Sequence, residues 1–215
     1  MKKVSDSVRA KVQSDEIAFE AMRSGIMNLS AYAKSIQDDV EKDTWKNVST
    51  NSLVVALSRV AKELKSGESL RPDFSMEDLT IRSPLSDVSF AKTKENLEQL
   101  HAFQKDFIGK ENQFFMMTQS VREITIILAP EHKQLLFSYM KSEPKEIFDN
   151  LVAITISFSP EYLTIPNVIY TIIAQIALQR VNIREIVSTY TELSIVIDEK
   201  EMQKAIEALQ VFSKR

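Results

Sequence analysis

The chain of 215 residues contains 0 cysteines, 3 glycines and 1 tryptophan. Without cysteine it can form no disulfide, no thiolate metal site and no cysteine nucleophile. Three isolated glycines cannot build the glycine-rich turn that cradles a nucleotide phosphate. The longest apolar stretch, residues 169–178, is interrupted by polar side chains and is too short to span a bilayer. These absences exclude disulfide scaffolds, nucleotide-binding loops and membrane spans.

Charge and hydrophobicity indicate an ordinary globular protein. Hydrophobic residues make up 44% of the sequence, enough to form a packed core, and the formal net charge of -3 does not favour a polyanion-binding chain. No apolar segment of a secretory signal follows Met1. We therefore expect a cytoplasmic protein that does not contact membranes.

Residues 1–66 are predicted to form a small all-α domain, followed by a linker at 67–75. Capping residues precede apolar stripes at helical spacing, and the stretch from Gln37 to Asn47 is expected to connect two helices. The arrangement resembles a helix-turn-helix, whose last helix would expose side chains that can contact bases and phosphates, namely Asn51, Ser52, Arg59 and Lys62. A plain helical packing or dimerisation domain explains the same pattern. Trp45 is expected to fold back onto these helices; the alternative is that it anchors a partner.

The remaining sequence contains an internal repeat. Gln119–Leu128 can be aligned with Ser188–Ile197, and Val88–Phe90 with Ile156–Phe158, at a nearly constant spacing. In both copies short β-rich runs alternate with amphipathic helical runs, which indicates a duplication. We assign the copies to residues 76–145 and 146–215.

Each copy has the order strand, helix, strand, strand, helix. In the second copy the strands are predicted at 153–158, 183–188 and 192–197. In the first copy they are predicted at 88–91, 114–118 and 123–128, with an additional strand at 79–82 before them. Because a strand–helix–strand crossover is right-handed, both helices of a copy should cover one face of its sheet and leave the other face for a partner. The predicted fold class is α+β, with two ferredoxin-like βαββα domains after the small all-α domain.

The second copy resembles an ACT domain, the amino-acid-sensing module at the regulatory end of aspartokinases. The resemblance rests on the Ile165–Val168 loop, the strand start at Val181–Ile183, the polar pair Ser188 and Thr189, the strand Leu193–Ile197 and the helix at Ala205–Leu209. It implies tandem ACT domains without a kinase domain. The family's loop glycine is replaced here by Asn167.

The resemblance implies a small-molecule effector, an amino acid, bound at the loop of the second copy. Free N–H groups at the start of the following helix attract a carboxylate, and carbonyl groups near Asn182 can accept an ammonium. The predicted ligand-binding residues are Pro160, Glu161, Ile165, Pro166, Asn167, Val168, Asn182 and Ile183. The corresponding loop of the first copy, residues 91–94, has neither proline nor glycine, so that copy is predicted to be degenerate.

No catalytic, cofactor or metal site is indicated. The 2 histidines have no partners at ligand spacing, and no serine sits in a nucleophile turn. We therefore expect a non-enzymatic sensor that acts on its helical domain, and the regulation of transcription is one form that this action can take. The alternative is a regulatory or oligomerising partner of a separate enzyme such as an aspartokinase, without DNA binding. A homodimer is expected in either case, because the sheets offer free faces and edges.

Overall fold

The computed structural model of the chain describes residues 2–107 and 114–213. The chain divides into two compact units, Met1–Pro72 and Asp73–Arg215. The first is entirely helical, and the second combines helices with a β-sheet. Each unit has hydrophobic clusters made of its own residues.

Four helices form the first unit: α1 Val4–Gln13, α2 Glu16–Arg23, α3 Leu29–Thr44 and α4 Thr50–Leu64. The last three begin at side-chain caps, because Asp15, Asn28 and Ser49 each accept a hydrogen bond from the backbone N–H three residues further on. Their buried stripes meet in one core, with Leu53 and Leu57 of α4 fully buried.

Two predictions about this unit are wrong. Residues 37–44 do not connect helices but form the last turns of α3, where the carboxylates of Asp39 and Asp43 bind Lys11 and Ser7 of α1. Trp45 does not fold back; it follows α3 in a left-handed conformation, and its side chain is 87% exposed. The polar stretch is helical because its carboxylates have partners on a packed neighbour.

Among the described residues, the second unit contains six strands and four α-helices. In chain order they are β1 Asp78–Ala91, α5 Lys94–Phe107, β2 Phe115–Gln119, β3 Glu123–Leu128, α6 Lys133–Tyr139, β4 Glu146–Ser157, α7 Val168–Leu178, β5 Ile183–Ser188, β6 Glu192–Asp198 and α8 Met202–Leu209. All strand pairs are antiparallel, and the order across the sheet is β2-β3-β1-β4-β6-β5. The α+β class is confirmed, and the element order is the same in both halves.

Two long strands lie at the centre of the sheet. The structure joins the strands predicted at 79–82 and 88–91 into the single strand β1, and it starts β4 at Glu146 rather than at residue 153. The second half of β1 pairs with β3. The first half of β1 pairs with the second half of β4, which on its other side pairs with β6. The first half of β4 pairs in turn with the second half of β1. Each long strand therefore completes the sheet of the other repeat.

All four helices of this unit pack on one face of the sheet. Phe90 of β1 and Ile126 of β3 pack against α5 and α6, while Ile154 of β4 and Ile195 of β6 pack against α7 and α8. Side chains alternate between the faces of a strand, so the neighbouring residues Ile127 and Val196 point away from the helices.

The sequence predicted that the helix-free face would be left open for a partner. At its centre this prediction is wrong, because the face is buried there. Leu85, Ile127 and Val196 are at most 2% exposed and form a cluster of their own. The sheet curls over this cluster, since the guanidinium of Arg184 on β5 lies 4.6 Å from the ring centroid of Phe148 on β4. The division at residues 145 and 146 stays a prediction.

Candidate ligand-binding site

The loop between β4 and α7 has the shape that a ligand-binding helix start requires. A 3-10 turn, Pro160–Thr164, begins at a proline, and Asn167 then precedes α7 with φ 68° and ψ 13°. Asparagine tolerates this left-handed conformation better than most residues, so it can take the place of a glycine. The side chain of Asn167 makes no capping hydrogen bond to the helix. The first N–H groups of any α-helix have no acceptor within that helix, and at α7 the side chain of Asn167 does not supply one.

A cavity of about 420 Å³ opens at this helix start. Its walls are mainly apolar or aromatic, and the polar residues Asn167, Ser188 and Thr189 also border it. The lining residues are Phe158, Tyr162, Leu163, Ile165, Asn167, Val168, Ile169, Tyr170, Ser188 and Thr189. An apolar concave site with a few polar groups at one end suits a small amphiphilic ligand.

The structure brings together only part of the predicted ligand-binding set. Ile165, Asn167 and Val168 line this cavity. Pro160 and Glu161 lie in the adjacent 3-10 turn, and Pro166 lies between two lining residues, all three exposed to solvent.

Asn182 and Ile183 lie elsewhere and line a second, more polar cavity. The reason is geometric: α7 carries the chain away from the loop, and β5 then runs back toward it. The start of β5 is therefore about 17 Å from its end at Ser188, at about 3.3 Å per residue. Only the end of β5 reaches the loop.

Seven lining residues were missed from the predicted set: Phe158, Tyr162, Leu163, Ile169, Tyr170, Ser188 and Thr189. The hydroxyl of Tyr162 accepts a hydrogen bond of 3.1 Å from the backbone N–H of Ser75, and its ring packs edge-on against Phe74 at 5.0 Å. These contacts hold the loop against the segment that precedes β1. The polar pair Ser188 and Thr189, noted as part of the ACT resemblance, was the available signal.

The corresponding loop of the first repeat is closed differently. Thr93 precedes α5, and its hydroxyl accepts a hydrogen bond of 3.1 Å from the N–H of Asn96. Lys92 reaches the carbonyl of Ser120 at 3.0 Å. The start of this helix is thus occupied by the chain's own side chains, in contrast to the start of α7.

The predicted nucleic-acid-binding residues share one side of α4. Asn51, Ser52, Arg59 and Lys62 are all exposed. Glu63, on the same side, forms an ion pair of 2.6 Å with Arg9. The structure places the four residues together without showing what they contact.

Two further findings concern the described residues only. Within 2–107 and 114–213, no group of three or more His, Asp or Glu side chains is arranged to hold a metal ion. Over the same residues, no helix has both the length and the apolar character that crossing a membrane requires.

Comparison with known proteins gives no match to any protein-family model and no significant match to a curated protein sequence. Solved structures do match. The regulatory subunit of aspartate kinase from Thermus thermophilus, in its ligand-free form, is 10% identical, with a TM-score of 0.53 over 66% of this chain and 99% of that one. The fold is that of aspartate kinase regulatory domains.

Two complete aspartate kinases show the same fold over a part of their length. The enzyme from Clostridium acetobutylicum is 11% identical, with a TM-score of 0.55 over 70% of this chain and 37% of its own. The enzyme from Synechocystis is 10% identical, with a TM-score of 0.52 over 83% of this chain and 37% of its own. These matches support the ACT-like, ferredoxin-like interpretation of the sheet and its helices.

Proposed function

We propose that the protein is a non-enzymatic regulatory protein that senses a small ligand, an amino acid, at the cavity in front of α7. The observation that carries this proposal is the cavity itself, which lies at an uncapped helix start in a fold shared with aspartate kinase regulatory domains. Asn167 keeps the loop in the required conformation without filling the cavity.

The cavity offers complementary contacts for the two ends of an amino acid. The N–H groups and the positive end of the dipole of α7 favour the carboxylate. Ile165, Ile169 and Leu163 provide an apolar wall for a side chain. Ser188 and Thr189 provide hydroxyl groups for a polar atom of the ligand.

A ligand regulates only if it binds one arrangement of the protein better than another. A coupling of about 1–3 kcal/mol is typical of such sensors. The ligand would act on a helical unit or on a partner protein. The comparisons give no support to a transcription regulator, and the alternative of a regulatory partner of a separate enzyme stays open.

A thermal-shift screen over the twenty amino acids tests the proposal. A ligand at about one hundred times its dissociation constant should stabilise the protein by about 2.7 kcal/mol and raise its melting temperature. Ser188→Trp should abolish the shift, because the indole would fill the cavity mouth from an exposed position.

The matched control is Gln119→Trp, at the equivalent exposed position of the first repeat. This variant should retain the shift. A screen in which no amino acid stabilises the protein, or one in which both tryptophan variants respond alike, contradicts the proposed site.

A further inference from the structure

The second cavity, which contains Asn182 and Ile183, lies on the helix-free face of the sheet and has a volume of about 490 Å³. It is bordered by β1 and β3 of the first repeat and by β4 and β5 of the second. Its charged lining side chains are four acids and two bases: Asp87, Glu123, Glu146, Glu185, Lys145 and Arg184. The lining therefore carries an excess of negative charge.

Both cationic side chains already have partners. Lys145 forms an ion pair with Glu123. Arg184 binds Asp198, which does not line this cavity, at 3.3 Å, and its guanidinium lies over the ring of Phe148. Within the described residues, no ion pair reaches Asp87, Glu146 or Glu185. Among the described residues, these three acids thus line the cavity without an ion-pair partner.

Asp87 is the most deeply placed of these groups. The residue is only 5% exposed, and its carboxylate receives one hydrogen bond, a long one of 3.4 Å from the hydroxyl of Ser89. Burial, followed by the charge of Glu185, raises the pKa of Asp87 to about 6, against smaller opposing effects of the Ser89 hydrogen bond and of Arg184. A buried carboxylate with so few donors is stabilised either by protonation or by a cationic partner.

The remaining lining groups suit an organic cation better than a metal ion. The hydroxyls of Ser89 and Thr125 are hydrogen-bonded to each other at 2.8 Å beside Asp87. The ring of Phe148, one face of which is covered by the guanidinium of Arg184, supplies apolar surface. An ammonium group has up to three N–H donors on one atom, which can be shared between two carboxylates and a hydroxyl. Among the described residues the acids are not arranged as a metal site.

We propose that this cavity binds a small organic ammonium ion, held between the carboxylates of Asp87 and Glu185 with its carbon chain against Phe148. The site is separate from the cavity at α7 and does not depend on the function proposed for it. Since Asp87 belongs to the first repeat and Glu185 to the second, a bound amine would tie the two repeats together across the helix-free face.

Calorimetry on the full chain with putrescine and butylamine tests this site. In about 150 mM salt, where diffuse surface attraction is screened, we expect saturable binding with a dissociation constant below about 1 mM. Butanol, which has the carbon chain without the charge, should not bind. Binding should also release protons at about pH 6, since the amine stabilises the charged form of Asp87. Proton release is measured by repeating the titration in buffers that differ in ionisation enthalpy.

Two variants and one control locate the bound amine. Asp87→Asn and Glu185→Gln should each weaken binding at least about tenfold, as loss of one partner of a paired charge does. Glu185 is half-buried, so its variant remains informative even if Asp87→Asn alters the fold. Glu207→Gln, which removes an exposed carboxylate on α8, should leave affinity unchanged. Absence of amine binding, or an equal loss in all three variants, overturns the proposal.

Discussion

The carboxylate of Glu185 on β5 raises the pKa of Asp87 on β1, although the two strands belong to different repeats and are separated in the sheet by β4 and β6. This relationship exists only because the sheet curls. Burial contributes more than Glu185 does, and it also raises the pKa of Glu185 itself. The pair of carboxylates gives the folded unit a dependence on pH that its composition alone would not suggest.

Asp87→Asn should stabilise the protein at neutral pH and leave it unchanged in acid. The folded-state pKa of Asp87 is about 6, above the unfolded value of about 3.9, so the neutral acid favours the fold. Its contribution is fully present below the unfolded value and is lost as pH rises through the folded one. After allowance for solvent screening and for the nearby Arg184, Lys145, Glu123 and Glu146, we expect the variant to gain about 1 kcal/mol at about pH 7.

Urea denaturation at several pH values measures this effect. Asp78→Asn, which changes an exposed carboxylate on the same strand, is the control and should show no such gain. If Asp87→Asn destabilises the protein equally at acid and neutral pH, the carboxylate has a structural partner instead.

Asn167 should tolerate glycine but not a β-branched residue. Its φ of 68° is accessible to glycine without strain, whereas valine there costs about 1–3 kcal/mol. We expect Asn167→Gly to keep wild-type stability and Asn167→Val to lower the free energy of unfolding by that amount. Asn182→Val, at a position with ordinary backbone angles, is the control. Equal urea midpoints for the two Asn167 variants would show that the loop does not require the left-handed conformation.

Ile186 should contribute to a homodimer contact. The residue is 45% exposed on β5, which is an edge strand, and Ile169 on α7 is 48% exposed. An unpaired edge with apolar side chains favours association with a second copy. We expect the intact protein to have a dimeric mass by light scattering and Ile186→Lys to shift it toward the monomer.

Val121→Lys is the matched surface change, because Val121 is 92% exposed and lies outside β5. It should leave the dimer intact. A monomeric mass for the unmodified protein contradicts the homodimer hypothesis directly.

The hypothesis that α4 binds DNA makes a separate prediction. If Arg59 and Lys62 contact phosphates, the double change Arg59→Ala and Lys62→Ala should lower affinity and reduce the slope of log affinity against log salt by about two. Fluorescence anisotropy with a mixed-sequence duplex measures both quantities. Lys34→Ala with Lys42→Ala removes the same charge from exposed positions of α3 and is the control. No binding by the intact chain at low salt would leave α4 as a packing helix.

The sequence predicted the elements better than their connections. Periodicity located the strands β3, β5 and β6 to within one residue, because each has an apolar pattern of its own period. It did not show that β1 continues through Ser83 and Pro84, because proline usually interrupts a strand and the partner that allows this continuation, β4, is distant in sequence.

The candidate sites show the same limit. Asn167 was recognised because its conformation depends on local sequence. Asn182 was placed at the wrong cavity, because its position depends on the direction in which β5 returns from α7. The polar cavity could not have been predicted, since Asp87 and Glu185 approach each other only through the curl of the sheet. Trp45 was predicted to fold back onto the helices, but its exposure of 87% shows that it does not.

The exchange of half-strands between β1 and β4 has a consequence for any signal that this unit carries. Neither repeat has a complete sheet without a strand segment of the other. The two repeats should therefore unfold in one cooperative transition rather than independently. An event that shifts one end of a long strand is transmitted along a continuous backbone into the neighbouring half. The duplication has thus produced a single cooperative unit that carries two candidate binding cavities.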